Sequence, residues 1–277
     1  MSFPGFTVKA GLAFALSAAL AAALAAEPGA VFIPGGEFQR GRTHEWPDKD
    51  LKWYPNPLKD DLPVRAIHVD PFYLDEAEVT NERYAAFVKA TGHRAPYHWV
   101  KGKFSEAEGN YPVVNVSWED ATSFCAWDGG KRLPTEAEWE RACRGLSEGQ
   151  TYPWGDRDPT ETDAHFGTIE GPTAVCSKTK NYFGLCDIIG NAWEWTADWY
   201  GHDYYTAAPE SNPTGPAKGL YRVVRGGSWY DKPASMFMTC SYRSWTRPAE
   251  RSPTIGFRCA KPFGATTGTA DSNPRGE

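Results

Sequence analysis

The sequence lacks several features that mark familiar classes of protein. Basic residues are in the minority: 29 lysines and arginines stand against 35 acidic residues, and the net charge is -6, so no nucleic-acid surface is expected. The chain has no CxxC pair and no cysteine–histidine cluster with zinc spacing, and its six histidines form no HxxxH or HxE pattern. These absences argue against a zinc site. Nor does the sequence repeat at the period of a solenoid or propeller.

Aromatic residues and chain-breaking residues are abundant instead. The 277 residues include 12 tryptophans, 27 glycines and 22 prolines. Frequent glycine and proline interrupt regular structure, whereas large flat side chains bury much apolar surface per residue. The composition therefore predicts a loop-rich fold that is packed around aromatic rings and has no long helices.

The N-terminus carries the one long apolar run of the sequence. Residues 10–26 are apolar except for one serine, and an A-x-A sequence occupies residues 23–25. This pattern is typical of a secretory signal peptide, so we predict a cleaved signal over 1–26 and a periplasmic or secreted protein. An uncleaved anchor is the alternative, and after cleavage no membrane span is expected. One domain is predicted over 27–262, followed by a disordered polar tail over 263–277.

Six cysteines occur in the sequence, and an even number in an exported protein favours disulfides. Spacing cannot choose among the many possible pairings and suggests only the short loop between Cys176 and Cys186.

Local patterns predict several short elements. Residues 30–41 indicate a strand, a Pro-Gly-Gly turn and a return strand, and residues 64–80 alternate as a strand does. Three helices are predicted to begin at hydroxyl caps, which are Thr80, Ser117 and Thr135. The second and third helices place Cys125 and Cys143 on their buried faces. Each of these two helices can therefore be linked by a disulfide to a distant part of the chain.

Eight motifs follow one another in a characteristic order. They are FIPGGEFQRG, FYLDEAEVTNERYAAFV, PVVNVSWEDATSFCAW, GKRLPTEAEWERACRG, YPWGD, GLCDIIGNAWEWTADWY, RVVRGGSWY and GFRCA. With these motifs, residues 30–262 closely resemble the sulfatase-modifying factor family, which includes the formylglycine-generating enzymes. The resemblance implies a single α+β domain of the C-type-lectin-like kind that is low in regular secondary structure.

The resemblance also implies a calcium site in the DIIGNAWEW segment. The family's ligand positions fall on Asp187, Gly190, Ala192 and Glu194, and a further family position falls on Glu78. Carboxylates and backbone carbonyls of a tight acidic loop are the hard oxygen ligands that calcium requires. The alternative is that Asp187 and Glu194 cap turns and face solvent. The family's other calcium site is not expected, because segment 164–167 is shorter here and lacks a clear acidic partner.

A disulfide pattern is implied as well: Cys125–Cys259, Cys143–Cys240 and Cys176–Cys186, which leaves no free thiol. Formylglycine-generating enzymes bind copper(I) through two cysteines that follow a GGS motif. At those positions this chain has Asp231 and, approximately, Met236. A carboxylate is a hard ligand and a thioether a weak one, so neither a copper site nor oxidation of a sulfatase cysteine is expected.

The residues that match the family's pocket are Trp193, Ser228 and Arg243. Trp193 would form an aromatic wall, Ser228 would donate a hydrogen bond, and Arg243 would anchor a carboxylate or a peptide carbonyl. Asp231 and Glu250 fall in the same segment, and either is a candidate general base. The alternatives are structural: a core tryptophan, a turn serine, an arginine paired with an internal carboxylate, and two solvated acids, with Glu250 paired to a neighbouring arginine.

Three functions follow from these observations. The first is an exported oxidoreductase that acts on a peptide or peptide-derived substrate, which resembles periplasmic members that oxidise the tyrosine-derived ring of a siderophore. The second is a calcium-stabilised binding module for a peptide, glycan or protein, whose recognition face would contain Trp229, Tyr230, Phe237 and Trp245. The third is a sulfatase-maturing enzyme, which requires free thiols.

Overall fold

The computed structural model describes residues 28–44, 59–146, 149–232 and 234–264. The predicted signal peptide, 1–26, lies outside the described residues, and so does nearly all of the predicted tail, 263–277. Within the described ranges, no helix has the length and apolarity that crossing a bilayer requires.

The described residues form nine short strands. In chain order they are β1 (Ala30–Ile33), β2 (Gly36–Arg40), β3 (Arg65–Val69), β4 (Phe72–Asp75), β5 (Trp193–Trp199), β6 (Arg222–Arg225), β7 (Ser244–Thr246), β8 (Ile255–Gly256) and β9 (Ala260–Pro262). They make a three-stranded sheet in the order β1-β4-β9, a β2-β3 pair, and a four-stranded sheet in the order β7-β6-β5-β8. The pairs are antiparallel except for β5 and β8.

The predicted strand, turn and return strand over 30–41 form both strands but no hairpin. β1 pairs with β4, whereas β2 pairs with β3. The chain passes from one sheet to the other at Gly35, which lies directly against Pro71, one of the two residues between β3 and β4. A Cβ atom on Gly35 would lie 2.7 Å from the Pro71 ring, so a residue with a side chain at position 35 would push apart the β1–β2 and β3–β4 connections.

Five α-helices occur in the described residues: α1 (Asn81–Thr91), α2 (Trp118–Trp127), α3 (Glu136–Arg144), α4 (Tyr204–Ala207) and α5 (Ala234–Phe237). The three predicted hydroxyl caps are confirmed, because each side chain accepts a backbone N–H of the first turn. α2 and α3 also have complete capping boxes, in which Asp120 and Glu138 accept the backbone N–H of the cap. The observed mixture of short helices and strands confirms the predicted α+β fold.

All six cysteines are paired as the resemblance implied. Cys125–Cys259 links α2 to the segment before β9, and Cys143–Cys240 links α3 to the segment after α5. Each bond passes through a hydrophobic core, the first around Phe124 and the second around Trp139. These two disulfides therefore join α2 and α3 to segments that are distant in sequence.

Buried charged side chains connect α3 to the sheets. Glu136 contacts Arg40 of β2 at 3.0 Å and Arg243, just before β7, at 2.6 Å. One turn later Glu140 contacts Arg225 of β6 at 2.8 Å. All five side chains are almost completely excluded from solvent. We call these five residues the arginine–glutamate cluster; because its charges are buried, each depends on its partners for stabilisation.

The pH dependence of stability provides a test of this region. Burial beside Glu136 raises the pKa of Asp198 to about 7. An unfolded aspartate titrates near pH ~4, so the folded state retains the proton between about pH 4 and 7, and stability falls as the pH rises through this window. From about pH 5 to about pH 8, we expect the free energy of unfolding of the wild type in urea to fall by about 2–3 kcal/mol more than that of Asp198→Asn. Equal losses in the two proteins would contradict this assignment.

Candidate functional site

A glycine turn at the end of β6 positions Ser228. Gly226 and Gly227 have φ values of 100° and 77°, in the left-handed region. A Cβ atom on Gly227 would lie 2.8 Å from the Met238 side chain, so the turn requires glycine for space as well as for conformation. Met238 belongs to the core around Trp139. The GGS motif thus directs the chain from β6 over the core and into the predicted pocket segment.

Asp231 is held by the turn that follows Ser228. Its Oδ2 accepts the backbone N–H of Ser228 at 2.8 Å and the Ser228 hydroxyl at 2.6 Å. The Trp193 side chain lies near the same carboxyl group and lowers its pKa. Burial raises the pKa of Asp231 above its ordinary value, although these hydrogen bonds oppose the shift. The structure therefore brings together three of the predicted site residues: Trp193, Ser228 and Asp231.

Trp193 opens β5 and is 7 % exposed. Its backbone N–H donates to the Thr254 carbonyl, and its ring lies 6.0 Å from the ring of Tyr242. Tyr242 packs in turn on Phe237. No motif in the sequence assigned Tyr242 a role, although it immediately precedes Arg243, which was predicted to line the pocket. Trp193 and Tyr242 form one aromatic side of the site around Asp231.

Arg243 and Glu250 lie apart from this group. Arg243 donates to both oxygens of Glu136 and to the Asp60 carbonyl, so its guanidinium belongs to the arginine–glutamate cluster, in line with the structural alternative of an arginine paired with an internal carboxylate. Asp60 itself is buried. Glu250 is exposed on a turn, and in the described part of the chain its carboxylate makes no hydrogen bond or ion pair.

The four rings that were predicted to form a recognition face do not lie together. Tyr230 is 61 % exposed and packs on Trp229, which donates its indole N–H to the Pro253 carbonyl. Phe237 is packed against Tyr242 in the core, and Trp245 is stacked on the Tyr200 ring at 4.2 Å. This arrangement counts against a shared binding surface of the four side chains.

The DIIGNAWEW segment forms a buried acidic loop beside this site. Glu194 accepts three hydrogen bonds from Arg258 and one from the Trp139 indole. Glu78 accepts the Asn191 side-chain amide and the backbone N–H of Ala192, both at 3.0 Å. The role of Arg258 was not foreseen, although it stands in the GFRCA motif. Glu194 does not face solvent, contrary to the alternative in which it caps an exposed turn.

Asp187 differs from the other two carboxylates of the loop. Its Oδ2 accepts the backbone N–H of Cys176 at 2.6 Å, but its buried Oδ1 has no hydrogen-bond partner. Burial raises the pKa of Asp187, and burial together with its acidic neighbours raises the pKa of Glu78 well above the ordinary value. Three carboxylates thus surround one guanidinium, that of Arg258. A cation would relieve both the excess negative charge and the unpaired oxygen.

Asp187 can act as a calcium ligand in this loop, whereas Glu78 and Glu194 are less available as ligands. The oxygens of Glu78 and Glu194 are already engaged, and among the described residues the three carboxylates do not bring their oxygens within 4.8 Å of one another as a group. A two-thiolate copper(I) site does not fit, because every cysteine is in a disulfide and Asp231 is bound to Ser228.

Comparisons with known proteins agree with this architecture. Residues 17–263 match the model of the sulfatase-modifying factor enzyme 1-like domain. The chain is 36% identical to the formylglycine-generating enzyme of Streptomyces coelicolor, over 91% of this chain and 98% of that protein. It is 31% identical to the inactive C-alpha-formylglycine-generating enzyme 2 of Bos taurus, over 86% of this chain and 89% of that protein. The structure of PvdO from Pseudomonas aeruginosa aligns with a TM-score of 0.69 and 24% identity, over 84% of this chain and 94% of the PvdO chain.

These relatives include proteins named as active and as inactive, so the family leaves the chemistry of this chain open. The likeness to PvdO shows that the fold is shared. The match begins at residue 17, inside the predicted signal peptide, and the boundaries at 26 and 262 therefore stay predictions. From its motifs, its fold and the extent of these matches, the chain belongs to the sulfatase-modifying factor family.

Proposed function

We propose that the protein is an exported, oxygen-dependent oxidoreductase that acts on a peptide or peptide-derived substrate at Asp231. The observation that carries this proposal is the half-buried carboxylate of Asp231, which Ser228 holds in place beside Trp193. It stands where the resemblance places the first copper-binding cysteine, so a proton acceptor takes the position of a metal ligand. Three disulfides support export, because such bonds persist in oxidising compartments.

In the proposed reaction the substrate loses two electrons and two protons, and dioxygen is reduced to hydrogen peroxide. Asp231 accepts one of these protons as the substrate is oxidised and then passes it to the reduced oxygen. Burial raises the pKa of Asp231 toward the operating pH, which suits a general base. The rings of Trp193 and Tyr242 form an aromatic wall against which a planar substrate can pack.

Oxygen uptake tests this proposal. With the tripeptide Gly-Tyr-Gly as the probe, we expect the wild type to consume oxygen and Asp231→Asn to lose at least about a hundredfold in rate, because the general base is removed. Glu250→Gln is the matched control and should keep the wild-type rate, since Glu250 lies on an exposed turn. Circular dichroism should show that both variants are folded.

Two results would overturn the assignment. Equal oxygen uptake by Asp231→Asn and the wild type would remove Asp231 from the reaction. Conversion of a cysteine-containing peptide to an aldehyde, without oxidation of the tyrosine peptide, would instead support a sulfatase-maturing enzyme.

We also propose that the acidic loop binds one calcium ion, with the Asp187 carboxylate and the backbone carbonyls of Gly190 and Ala192 as ligands. The unpaired Oδ1 of Asp187 supports this assignment. The ion would have a structural role, since it neutralises a buried negative charge beside Glu78 and Glu194.

Calcium content gives a direct measurement of this site. We expect about one equivalent in the dialysed protein by mass spectrometry, and removal with EGTA should lower the melting temperature. Asp187→Asn should reduce both the content and the response to EGTA, because the amide offers a weaker ligand. The same content in the wild type and in Asp187→Asn would exclude Asp187 as a ligand.

A further inference from the structure

Asp231 differs from the other carboxylates of the protein in its electrostatic surroundings. The buried acids of the fold contact cationic side chains: Asp75 contacts Lys131 and Arg83, Asp120 contacts Arg94 and Arg251, and Glu194 contacts Arg258. Glu78, Asp187 and Asp198 make no such ion pair, but each lies close enough to an arginine for that arginine to lower its pKa.

No cationic side chain among the described residues forms an ion pair with Asp231 or lowers its pKa. Its hydrogen bonds come from the N–H and hydroxyl of Ser228, which are neutral. The Trp193 side chain, also neutral, lies near the carboxyl group. Neutral donors satisfy part of a carboxylate's hydrogen-bonding capacity but leave its charge uncompensated. A half-buried negative charge is therefore available to a ligand.

The adjacent lysine does not supply the missing charge. Lys232 follows Asp231 directly, but its side chain extends over Gly167. Gly167 has φ 67° and no side chain, and a Cβ atom at this position would collide with the lysine methylenes. The Lys232 side chain thus packs on the loop around Gly167, and among the described residues it makes no ion pair with Asp231.

Aromatic rings complete the surroundings of Asp231. The ring of Trp193 lies beside the carboxylate and 6.0 Å from Tyr242, and the rings of Trp229 and Tyr230 are 5.6 Å apart on the turn between Ser228 and Asp231. The faces of such rings attract cations electrostatically, most strongly when water is excluded. Rings next to an uncompensated carboxylate favour a positively charged organic group over a neutral or anionic one.

We propose that the site around Asp231 recognises a protonated amine of its substrate. The ammonium donates to the free lone pairs of the carboxylate, and its carbon chain packs on the rings of Trp193 and Tyr230. This inference rests on the proposed function in taking Asp231 as the substrate site, and it names the substrate class: a molecule in which the oxidised group accompanies an amine, such as a peptide N-terminus or a lysine side chain.

Three phenols that differ only in the tail of the molecule test the proposal. Tyramine carries an ammonium, 4-ethylphenol is neutral, and 3-(4-hydroxyphenyl)propionate carries a carboxylate. By isothermal titration calorimetry near neutral pH, we expect tyramine to bind about tenfold to a hundredfold more tightly than 4-ethylphenol, as for a charge-assisted hydrogen bond, and the propionate to bind least. Asp231→Asn should reduce the affinity for tyramine to that for 4-ethylphenol, whereas Glu250→Gln should leave the preference unchanged.

Equal binding of the three phenols by the wild type, or an intact preference for tyramine in Asp231→Asn, would overturn the proposal. If circular dichroism shows that Asp231→Asn does not fold, Asp231→Ser is measured with the same expectation. The outcome is separable from that of the oxidase proposal: an amine preference without oxygen uptake supports recognition alone, and oxygen uptake without an amine preference supports the oxidase alone.

Discussion

Replacing Glu136 by alanine is expected to lower the free energy of unfolding by about 3–5 kcal/mol. Glu136 is fully buried and contacts Arg40 and Arg243, and the Arg225 guanidinium lies 3.5 Å away. The substitution removes the shared counter-charge and leaves these arginines in an environment where water cannot solvate them. Urea unfolding of the variant and the wild type at the same pH measures the difference.

The exposed Glu37 of β2 offers a matched control for this experiment. Glu37→Ala makes the same chemical change at the surface, and its effect should remain within about 0.5 kcal/mol. Glu136→Gln should fall between the two variants, because it keeps an acceptor oxygen but loses the charge. A loss below about 1 kcal/mol in Glu136→Ala would mean that the arginines are stabilised by other partners.

The second large effect is expected from the disulfide between Cys125 and Cys259. These residues are 134 positions apart, so the bond closes a long loop in the unfolded chain. The loop-entropy model predicts that the double alanine variant loses about 5 kcal/mol. The bond between Cys176 and Cys186 spans only 10 positions, and its double alanine variant should lose about 3 kcal/mol by the same model.

Comparison of the two double variants tests loop length rather than the number of bonds, since each variant loses one disulfide. Chemical unfolding of both proteins gives the two free energies. A larger loss in Cys176→Ala/Cys186→Ala would contradict the expected order. It would indicate that the shorter bond acts mainly by placing the Cys176 N–H on Asp187 in the folded state.

Sequence patterns predicted the features that depend on neighbouring residues. The caps at Thr80, Ser117 and Thr135 follow from a hydroxyl and an N–H group within one helical turn. The resemblance to the family supplied the disulfide pairing, which spacing had left open. It also placed Ser228 and Asp231 in one segment, where their hydrogen bonds form within a single turn.

Features that depend on distant parts of the chain could not be predicted in this way. The β1 and β2 strands follow one another through a Pro-Gly-Gly turn, yet they pair with different strands, β4 and β3, and Gly35 lies at the point where Pro71 crosses. Arg243 was assigned to the pocket because no local signal shows that its partner is Glu136, 107 positions earlier. The sequence named Asp231 and Glu250 as candidate bases alike, and it could not show that Asp231 is half-buried whereas Glu250 is exposed.

The turn from Ser228 to Asp231 has a consequence for how this site can change. Both donors that hold the carboxylate belong to a residue three positions earlier, so the geometry of the base is encoded within four residues. The surrounding rings come instead from separate segments at Trp193, Tyr230 and Tyr242. Substitutions in those segments can alter which molecule the site accepts while the proton acceptor keeps its position, so specificity and reactivity can evolve independently.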